Sequence, residues 1–358
     1  MRCPSCNEYQ PEGIDSDECL SCGKPILTPD TQYYQRKSLD AQISLRADVG
    51  PEIIEHVFKQ MKIDEKWSIK FNRGFSWWAK NLKQTIWAEL VFEDEGMLIS
   101  RLYSRCEILT GFEASTENYK ILDPILSMAS LSGILIEESN PDSLSYVCSM
   151  YAHEQNRMWV KNFFSLAVAL QVGESQNQAE SLARLTQSNL ASSKHPASGN
   201  REISDDMLNF IDVVKLADKT LPDDEFKSIA AFLNESPGIQ AVGGDSDLRV
   251  QFSFNERTMY FQVDVVENNP LMGKGALFLL QFPGQDDLAS GIRLALKLNS
   301  LEFKSMTRAN FLGSWCLSNE RILTHVSFVP AIGYQKGLLM NLCMSMAFRA
   351  KWFSELLR

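Results

Sequence analysis

The sequence has few of the residues and none of the short motifs by which enzymes are usually recognised. Only 4 of its 358 residues are histidines, and they do not form the HExxH pattern of zinc hydrolases. A GxSxG nucleophile turn and a GxxxxGK[ST] phosphate loop are both missing. These absences predict a non-enzymatic protein with no catalytic residues, no cofactor-binding residues and no small-molecule substrate. An enzyme with an unrecognised site remains an alternative.

The histidines are scattered, and we expect surface or structural positions for all of them: His56, His153, His195 and His325. A dyad of Cys316 and His325 is conceivable, but no pattern in the sequence selects it.

An excess of positive charge is also missing. The chain has 35 Lys and Arg against 45 Asp and Glu, which gives a net charge of −10 at pH 7. Surfaces that bind nucleic acid or anionic membranes favour an excess of Lys and Arg. We therefore predict that neither is the main partner of this protein.

Long apolar runs are missing as well. The longest near the C-terminus, GLLMNLCMSMAF at residues 337–348, is shorter than the roughly 20 residues of a transmembrane helix. The N-terminal residues do not follow the charged-then-apolar pattern of a secretory signal. We therefore expect a cytoplasmic protein with no membrane partner.

Cysteine, in contrast, is concentrated at the N-terminus. Four of the 8 cysteines form two matched pairs: Cys3, Cys6, Cys19 and Cys22. Two residues between thiolates allow both sulfurs of a pair to face one ion, and two such pairs complete a tetrahedral site with four thiolate ligands. The sequence predicts one structural Zn²⁺ per chain, with redox CxxC pairs or disulfides as alternatives. Because all four ligands come from protein, we expect a closed, non-catalytic site.

The same stretch resembles the short zinc ribbon that begins many bacterial proteins, C-P-x-C followed by C-x-x-C-G. Here the pattern is Cys3-Pro4-Ser5-Cys6 and Cys19-Leu20-Ser21-Cys22-Gly23. It departs from the family at Asn7, where glycine is usual, but Asn tolerates the left-handed conformation.

The other four cysteines lie in apolar or strand-like surroundings: Cys106, Cys148, Cys316 and Cys343. We expect them to be buried free thiols, as in a reducing compartment.

Composition divides the chain into five parts. We predict a zinc ribbon at 1–27, a polar connector at 28–50, an α+β domain at 51–186, a Ser-, Pro- and Gly-containing linker at 187–205 and a second α+β domain at 206–358.

The two large blocks share a predicted order of elements, namely helix, three strands, helix, two or three strands, helix. Short strands are expected at MWV (158–160) and around SMTRANF (305–311), each before a long final helix. Matching features lie about 170 residues apart, and Ser145-Tyr146 is aligned with Ser314-Trp315. We interpret this as a duplication, with two unrelated α+β domains as the alternative.

This order resembles the type III secretion chaperone-like fold, and particularly the YbjN-like family. The second block carries the matching signs: Leu298-Asn299 at the end of a helix, Gly313-Ser314-Trp315 on a strand, and Val329-Pro330 before the final helix. The resemblance implies tandem antiparallel sheets with helices on one face. It also implies binding to polypeptides or to another copy, without a catalytic site.

An aromatic set marks the first block: Trp67, Phe71, Phe75, Trp77, Trp78 and Trp87. Trp77 and Trp78 are adjacent, so on a strand they face opposite sides. One of them is either covered within the chain, which we favour, or exposed to a partner beside Arg73 and Lys80.

Together these features predict a non-enzymatic interaction protein, chaperone-like or regulatory, that binds a protein partner or itself. The alternative is a nucleic-acid-associated factor that uses the ribbon. The ribbon itself is acidic and Arg36, Lys37 and Arg46 add only a thin basic stripe, which favours the first reading.

Overall fold

The structure, a computed structural model, describes residues 47–94, 96–137, 140–205, 214, 219, 221, 225–269, 272–282, 287–304, 309–318 and 322–356. The predicted zinc ligands Cys3, Cys6, Cys19 and Cys22 lie outside the described residues, as does the connector up to residue 46.

The first half contains three helices and eight strands among its described residues. The helices are α1 (Gly50–Gln60), α2 (Thr116–Ser127) and α3 (Arg157–Leu185). The strands are β1 (Ser68–Phe71), β2 (Gly74–Trp78), β3 (Lys83–Ala88), β4 (Phe92–Asp94), β5 (Met97–Thr110), β6 (Gly133–Glu137), β7 (Asn140–Ala152) and β8 (Asn189–Leu190).

The second half repeats this arrangement with fewer strands. Its helices in the described ranges are α4 (Glu225–Leu233), α5 (Leu288–Phe303) and α6 (Leu338–Leu356). Its strands there are β9 (Ile239–Gly243), β10 (Asp247–Phe254), β11 (Arg257–Asn269), β12 (Gly273–Phe282), β13 (Ser314–Ser318) and β14 (Ile322–Pro330).

Each half forms one antiparallel sheet, and the two sheets have the same strand order. The first runs β1-β2-β3-β5-β7-β6, with β4 and β8 also paired to β5, and the second runs β9-β10-β11-β12-β14-β13. In both sheets, the meander ends on a long strand, β5 or β12. That strand pairs with the second strand of the following hairpin, β7 or β14. The predicted α+β class with two antiparallel sheets is confirmed, and each meander has more strands than expected.

Local sequence explains where the middle helices begin. Ser115 accepts a hydrogen bond from the backbone N–H of Asn118 at the start of α2, and Asp287 does the same for Ser290 at the start of α5. Such caps satisfy N–H groups that the first helical turn leaves free. No helix in the described part of the chain has the length and apolar character needed to cross a membrane.

Buried apolar side chains from both halves join in one continuous core. Its largest fully buried members include Trp77 and Phe163 from the first half, and Phe278 and Trp315 from the second. The helices and sheets of the two halves therefore share most of their apolar interior, and a second, smaller buried cluster also contains residues of both halves.

Two predicted strands are not strands. Residues 158–160 belong to the first turn of α3, which begins at Arg157. Val160 is buried there, so core packing explains its apolar character without a strand. Of residues 305–311, the first four lie outside the described part, and Phe311 makes only an isolated bridge to Ser149. Strand β9 was not predicted.

The segment predicted as a linker, residues 187–205, lies along the first sheet, and we name it the strap. Its strand β8 pairs with β5. The indole N–H of Trp77 donates to Asp205 at 3.0 Å, and that of Trp78 donates to Ser193 at 3.0 Å. Both tryptophans are buried. Cover within the chain is thus the correct alternative, and neither tryptophan is an exposed contact residue.

Two reciprocal backbone hydrogen bonds join the halves. Ser149 on β7 donates to the carbonyl of Phe311, and Phe328 on β14 donates to the carbonyl of Ser130, both at 3.0 Å. Each donor lies on the strand next to the sheet edge, just beyond the point where its pairing with the edge strand ends. Each acceptor precedes the edge strand of the other half. This two-fold relation supports the interpretation of a duplication.

The register corrects one residue equivalence. Trp315 on β13 pairs with His325 on β14, whereas Tyr146 on β7 pairs with Ile134 on β6. Because β13 corresponds to β6 in strand order, Trp315 is equivalent to Ile134. The alignment of Ser145-Tyr146 with Ser314-Trp315 is therefore wrong.

Candidate functional site

The predicted metal site cannot be located because its four cysteines lie outside the described residues. Within the described ranges, no group of three or more His, Cys, Asp or Glu side chains is placed to hold a metal ion. The other four cysteines are confirmed as free and buried: Cys106, Cys148, Cys316 and Cys343.

The conceivable Cys316–His325 dyad is not assembled. His325 lies opposite Trp315 and Cys316 lies opposite Thr324. Since adjacent residues of a strand face opposite sides of the sheet, the thiol and the imidazole point apart. Burial also raises the pKa of the Cys316 thiol, which disfavours the thiolate that a nucleophile requires.

The remaining histidines occupy structural positions. His195 in the strap packs edge-on against Trp78 at 5.2 Å, and one of its ring nitrogens lies 3.2 Å from the carbonyl of Ser68. His153 is half-buried directly after β7, where partial burial lowers its pKa to about 4. His56 is half-buried on α1.

The middle helices cross between the halves. Helix α2 packs on β13 of the second half, and α5 packs on β6 of the first. From α2, Asp123 accepts a hydrogen bond from the N–H of Leu317 at 3.0 Å. From α5, the Asn299 amide donates to the carbonyl of Ile134 at 2.8 Å and accepts from the N–H of Trp315 at 2.8 Å. The hydrogen bonds of Asn299 link the edge strands β6 and β13, and we call this region the junction of the halves.

A buried ion pair lies beside these edges. Glu302 and Arg349 are almost fully enclosed, with side-chain exposures of 0% and 1%, and their closest atoms are 2.8 Å apart. Arg101 from the first half donates to the backbone carbonyl of Glu302 and to the hydroxyl of Ser149 at 2.9 Å. Burial raises the pKa of the Glu302 carboxyl, and the charge of Arg349 opposes that rise.

A second buried carboxyl lies in the first half. Glu174 on α3 accepts a hydrogen bond from the hydroxyl of Ser132 at 2.7 Å. Burial raises its pKa to about 7, although hydrogen bonds from the Ser130–Ser132 segment oppose the rise. This carboxyl and the Glu302–Arg349 pair are enclosed by protein and anchor the junction from inside.

A cavity of about 690 Å³ is lined by α1, α3 and the turn after β14. Its charged groups include Asp205 and Lys219. Asp205 receives the indole N–H of Trp77, and the Lys219 ammonium donates to the carbonyl of Tyr334 at 2.6 Å. These groups stabilise the fold.

A smaller cavity, about 260 Å³, lies at the junction of the halves, and we name it the aromatic pocket. It is lined by Trp87, Glu89, Tyr103, Leu135, Ser300, Phe303 and Lys304. Trp87 and Tyr103 are stacked with ring centroids 5.0 Å apart and planes inclined by 9°. Phe303 stands edge-on to Tyr103 at 5.1 Å.

Sequence reasoning singled out Trp87 but not the residues around it. Trp87 and Tyr103 are cross-strand partners on β3 and β5, whereas Ser300 and Phe303 come from α5 of the second half. Alternation along β5 was a usable signal for Tyr103, which lies on the face opposite Leu102. No local pattern brings α5 to that face.

Comparison of the chain with protein-family models, curated proteins and solved structures finds no match. Its candidate function therefore rests on its own residues.

Proposed function

We propose that this protein is a non-catalytic interaction scaffold whose tandem α+β halves bind a protein partner. In this proposal the N-terminal ribbon binds one structural Zn²⁺ through Cys3, Cys6, Cys19 and Cys22 and forms a separate module that the metal stabilises. The shared strand order of the two sheets supports a duplicated, chaperone-like scaffold. Four free buried thiols support a reducing, cytoplasmic setting.

The aromatic pocket carries this proposal. At about 260 Å³ it is smaller than the roughly 300–1,000 Å³ of small-molecule sites, yet large enough for one side chain. Its rigid aromatic walls and polar mouth, with Glu89 and Lys304, match the anatomy of an interface hot spot, where a partner's anchor residue fills a desolvated pocket. A protein partner is therefore the ligand class that fits best.

Site-specific photo-crosslinking tests the proposal. A photoreactive amino acid in place of Glu89, at the mouth of the pocket, is expected to capture a discrete protein partner in cells. The same amino acid in place of the exposed Glu235 serves as the matched control. The captured protein is then purified and titrated against the unmodified chain. Equal capture from both positions, or no binding in the titration, would refute the proposed function.

The metal assignment needs its own measurement. Elemental analysis is expected to find one zinc per chain, and Cys19→Ser with Cys22→Ser is expected to abolish it. Because the ribbon is proposed as a separate module, these changes should leave the unfolding transition of residues 47–356 unchanged. Two metals per chain, or iron, would contradict a structural zinc site.

A further inference from the structure

We propose that the aromatic pocket binds the guanidinium group of an arginine side chain presented by the partner. This inference rests on the proposed function, since it names the chemistry by which the partner is recognised. It is carried by the aromatic walls, an unpartnered buried hydroxyl and the carboxylate at the mouth.

The aromatic walls already hold a guanidinium within the protein. The guanidinium carbon of Arg101 lies 5.0 Å from the ring centroid of Tyr103, and Tyr103 stacks on Trp87. Trp87 is half-buried and lines the pocket. Arginine is the side chain that stacks best on aromatic faces, and tryptophan is the strongest cation–π acceptor. A second guanidinium on Trp87 would extend the same kind of contact.

One residue that lines the pocket has an unsatisfied hydroxyl. Ser300 is 4% exposed, and its Oγ has no hydrogen-bond partner. Leaving a buried hydroxyl unpaired costs free energy, so a ligand N–H that reached this oxygen would gain a hydrogen bond that the free protein lacks. Guanidinium has five N–H donors in a planar fork, which suits one hydrogen bond inward and others toward the mouth.

The mouth carries an exposed glutamate whose backbone is held in place. Glu89 is exposed, and its backbone is held on both sides. Its N–H donates to the carbonyl of Arg101 at 2.9 Å, and its carbonyl accepts from the hydroxyl of Ser100 at 3.2 Å. From this held backbone the flexible Glu89 side chain can bring its carboxylate to the edge of a guanidinium that is stacked on Trp87.

Lys304 also lines the pocket, and its positive charge acts against a cationic ligand. The proposal therefore predicts that Lys304→Gln strengthens arginine binding. A pocket that served an anionic side chain would respond in the opposite direction.

The test uses full-length protein labelled with 5-fluorotryptophan and observed by ¹⁹F NMR. Trp87→Phe assigns the Trp87 signal among the 7 tryptophans. A blocked Gly-Arg-Gly tripeptide is expected to shift this signal in a saturable way. The citrulline tripeptide, which has the same shape without the charge, is the matched ligand control and should bind about tenfold more weakly.

Substitutions in the chain separate the proposed contacts from general damage. Glu89→Gln is expected to weaken the arginine tripeptide several-fold, with Glu235→Gln as the control that leaves binding unchanged. Ser300→Ala is expected to raise the Tm of the free protein, because an unpaired hydroxyl is removed, while it weakens binding. A purely structural serine would not give these opposite signs.

The outcomes distinguish this inference from the proposed function. A partner that crosslinks at position 89 but binds Trp87→Phe and Glu89→Gln as well as the unmodified chain would overturn the arginine assignment and leave the scaffold intact. Equal shifts with arginine and citrulline, or a shift with a glutamate tripeptide alone, would overturn it too. An arginine-specific shift without any crosslinked partner would support the pocket chemistry and refute the scaffold.

Discussion

In the first half, the loop before β6 is held by a carboxyl group, because Glu174 accepts a hydrogen bond from the hydroxyl of Ser132 at 2.7 Å. In the second half, the equivalent loop before β13 is held by a guanidinium, because Arg349 donates to the carbonyl of Asn310 at 2.8 Å. The backbone bonds that cross the junction are the same in both directions, yet one loop is fixed by an acidic side chain and the other by a basic one.

The shared fold fixes the backbone hydrogen bonds of the junction but not the side chains that complete it. The junction requires that buried polar groups find partners, and both solutions provide them. The carboxyl group of Glu174 needs only hydroxyl and N–H donors, whereas the guanidinium of Arg349 also forms an ion pair with Glu302. The two halves should therefore respond differently to mutation and to pH.

The largest expected effect comes from the charged half. Arg349→Met leaves the Glu302 carboxylate buried without its partner, and we expect a loss of about 3–5 kcal/mol in the free energy of unfolding, measured with urea. The double variant with Glu302→Leu should recover most of that loss, because an apolar pair of similar volume often replaces a buried ion pair.

An exposed pair provides the control. Lys120 and Glu117 are 52% and 79% exposed, and Lys120→Met should change the free energy of unfolding by less than about 0.5 kcal/mol. If Arg349→Met behaved like this surface variant, the buried pair would not anchor the second half.

The carboxylate half should show the next largest effect, as a dependence on pH. Burial raises the pKa of Glu174 from 4.5 to about 7, so the folded state holds a proton that the unfolded state has lost. The stabilising contribution is complete below about pH 4.5 and is lost as pH rises through about 7, an effect on the order of 3 kcal/mol. Glu174→Gln should remove it.

Urea unfolding of the wild type and Glu174→Gln between about pH 5 and pH 8 measures this difference. His153, whose pKa burial lowers to about 4, acts with the opposite sign in both proteins, so subtraction isolates Glu174. Parallel pH curves for the two proteins would show that Glu174 is not the titrating group.

The smallest expected effect concerns the close packing of Gly133 in the first half against Gly313 and Phe311 in the second. A Cβ added at Gly133 would lie 2.6 Å from the carbonyl oxygen of Gly313 and 2.8 Å from the ring of Phe311. We expect Gly133→Ala to cost about 2 kcal/mol by overpacking. Phe311→Leu should offset part of that cost, with a coupling of about 0.5–1 kcal/mol in a double-mutant cycle of unfolding free energies.

Phe303→Leu is the matched control for this cycle, because it makes the same change at a ring that is not among the nearest contacts of that Cβ. Equal coupling for Phe303→Leu and Phe311→Leu would mean that the junction is not packed as described.

Much of the fold follows from local pattern. Periodic patterns predicted the order of helices and strands in each half, because these signals depend on neighbours a few residues away. Residues 158–160 misled because Trp and Val favour strands when isolated, whereas their position after Asn156 and their packing against the core place them in a helix. Intrinsic preference is weaker than packing.

The strap and the pocket show where local pattern ends. Residues 187–205 have the composition of a linker, yet Asp205 and Ser193 satisfy indole N–H groups more than a hundred positions away. The aromatic pocket likewise needs strands of one half and a helix of the other. Such sites depend on how the halves meet, and the sequence carries no short-range sign of that.

The register across the two sheets has a consequence for how such a protein can specialise. The positions equivalent to Trp87 and Tyr103 in the second half are Asp264 and Leu277, which are also cross-strand partners. A homodimer of identical subunits must display every feature twice. The two halves of a tandem chain are not subject to that constraint. One half can keep a recognition surface while the other retains only a structural role.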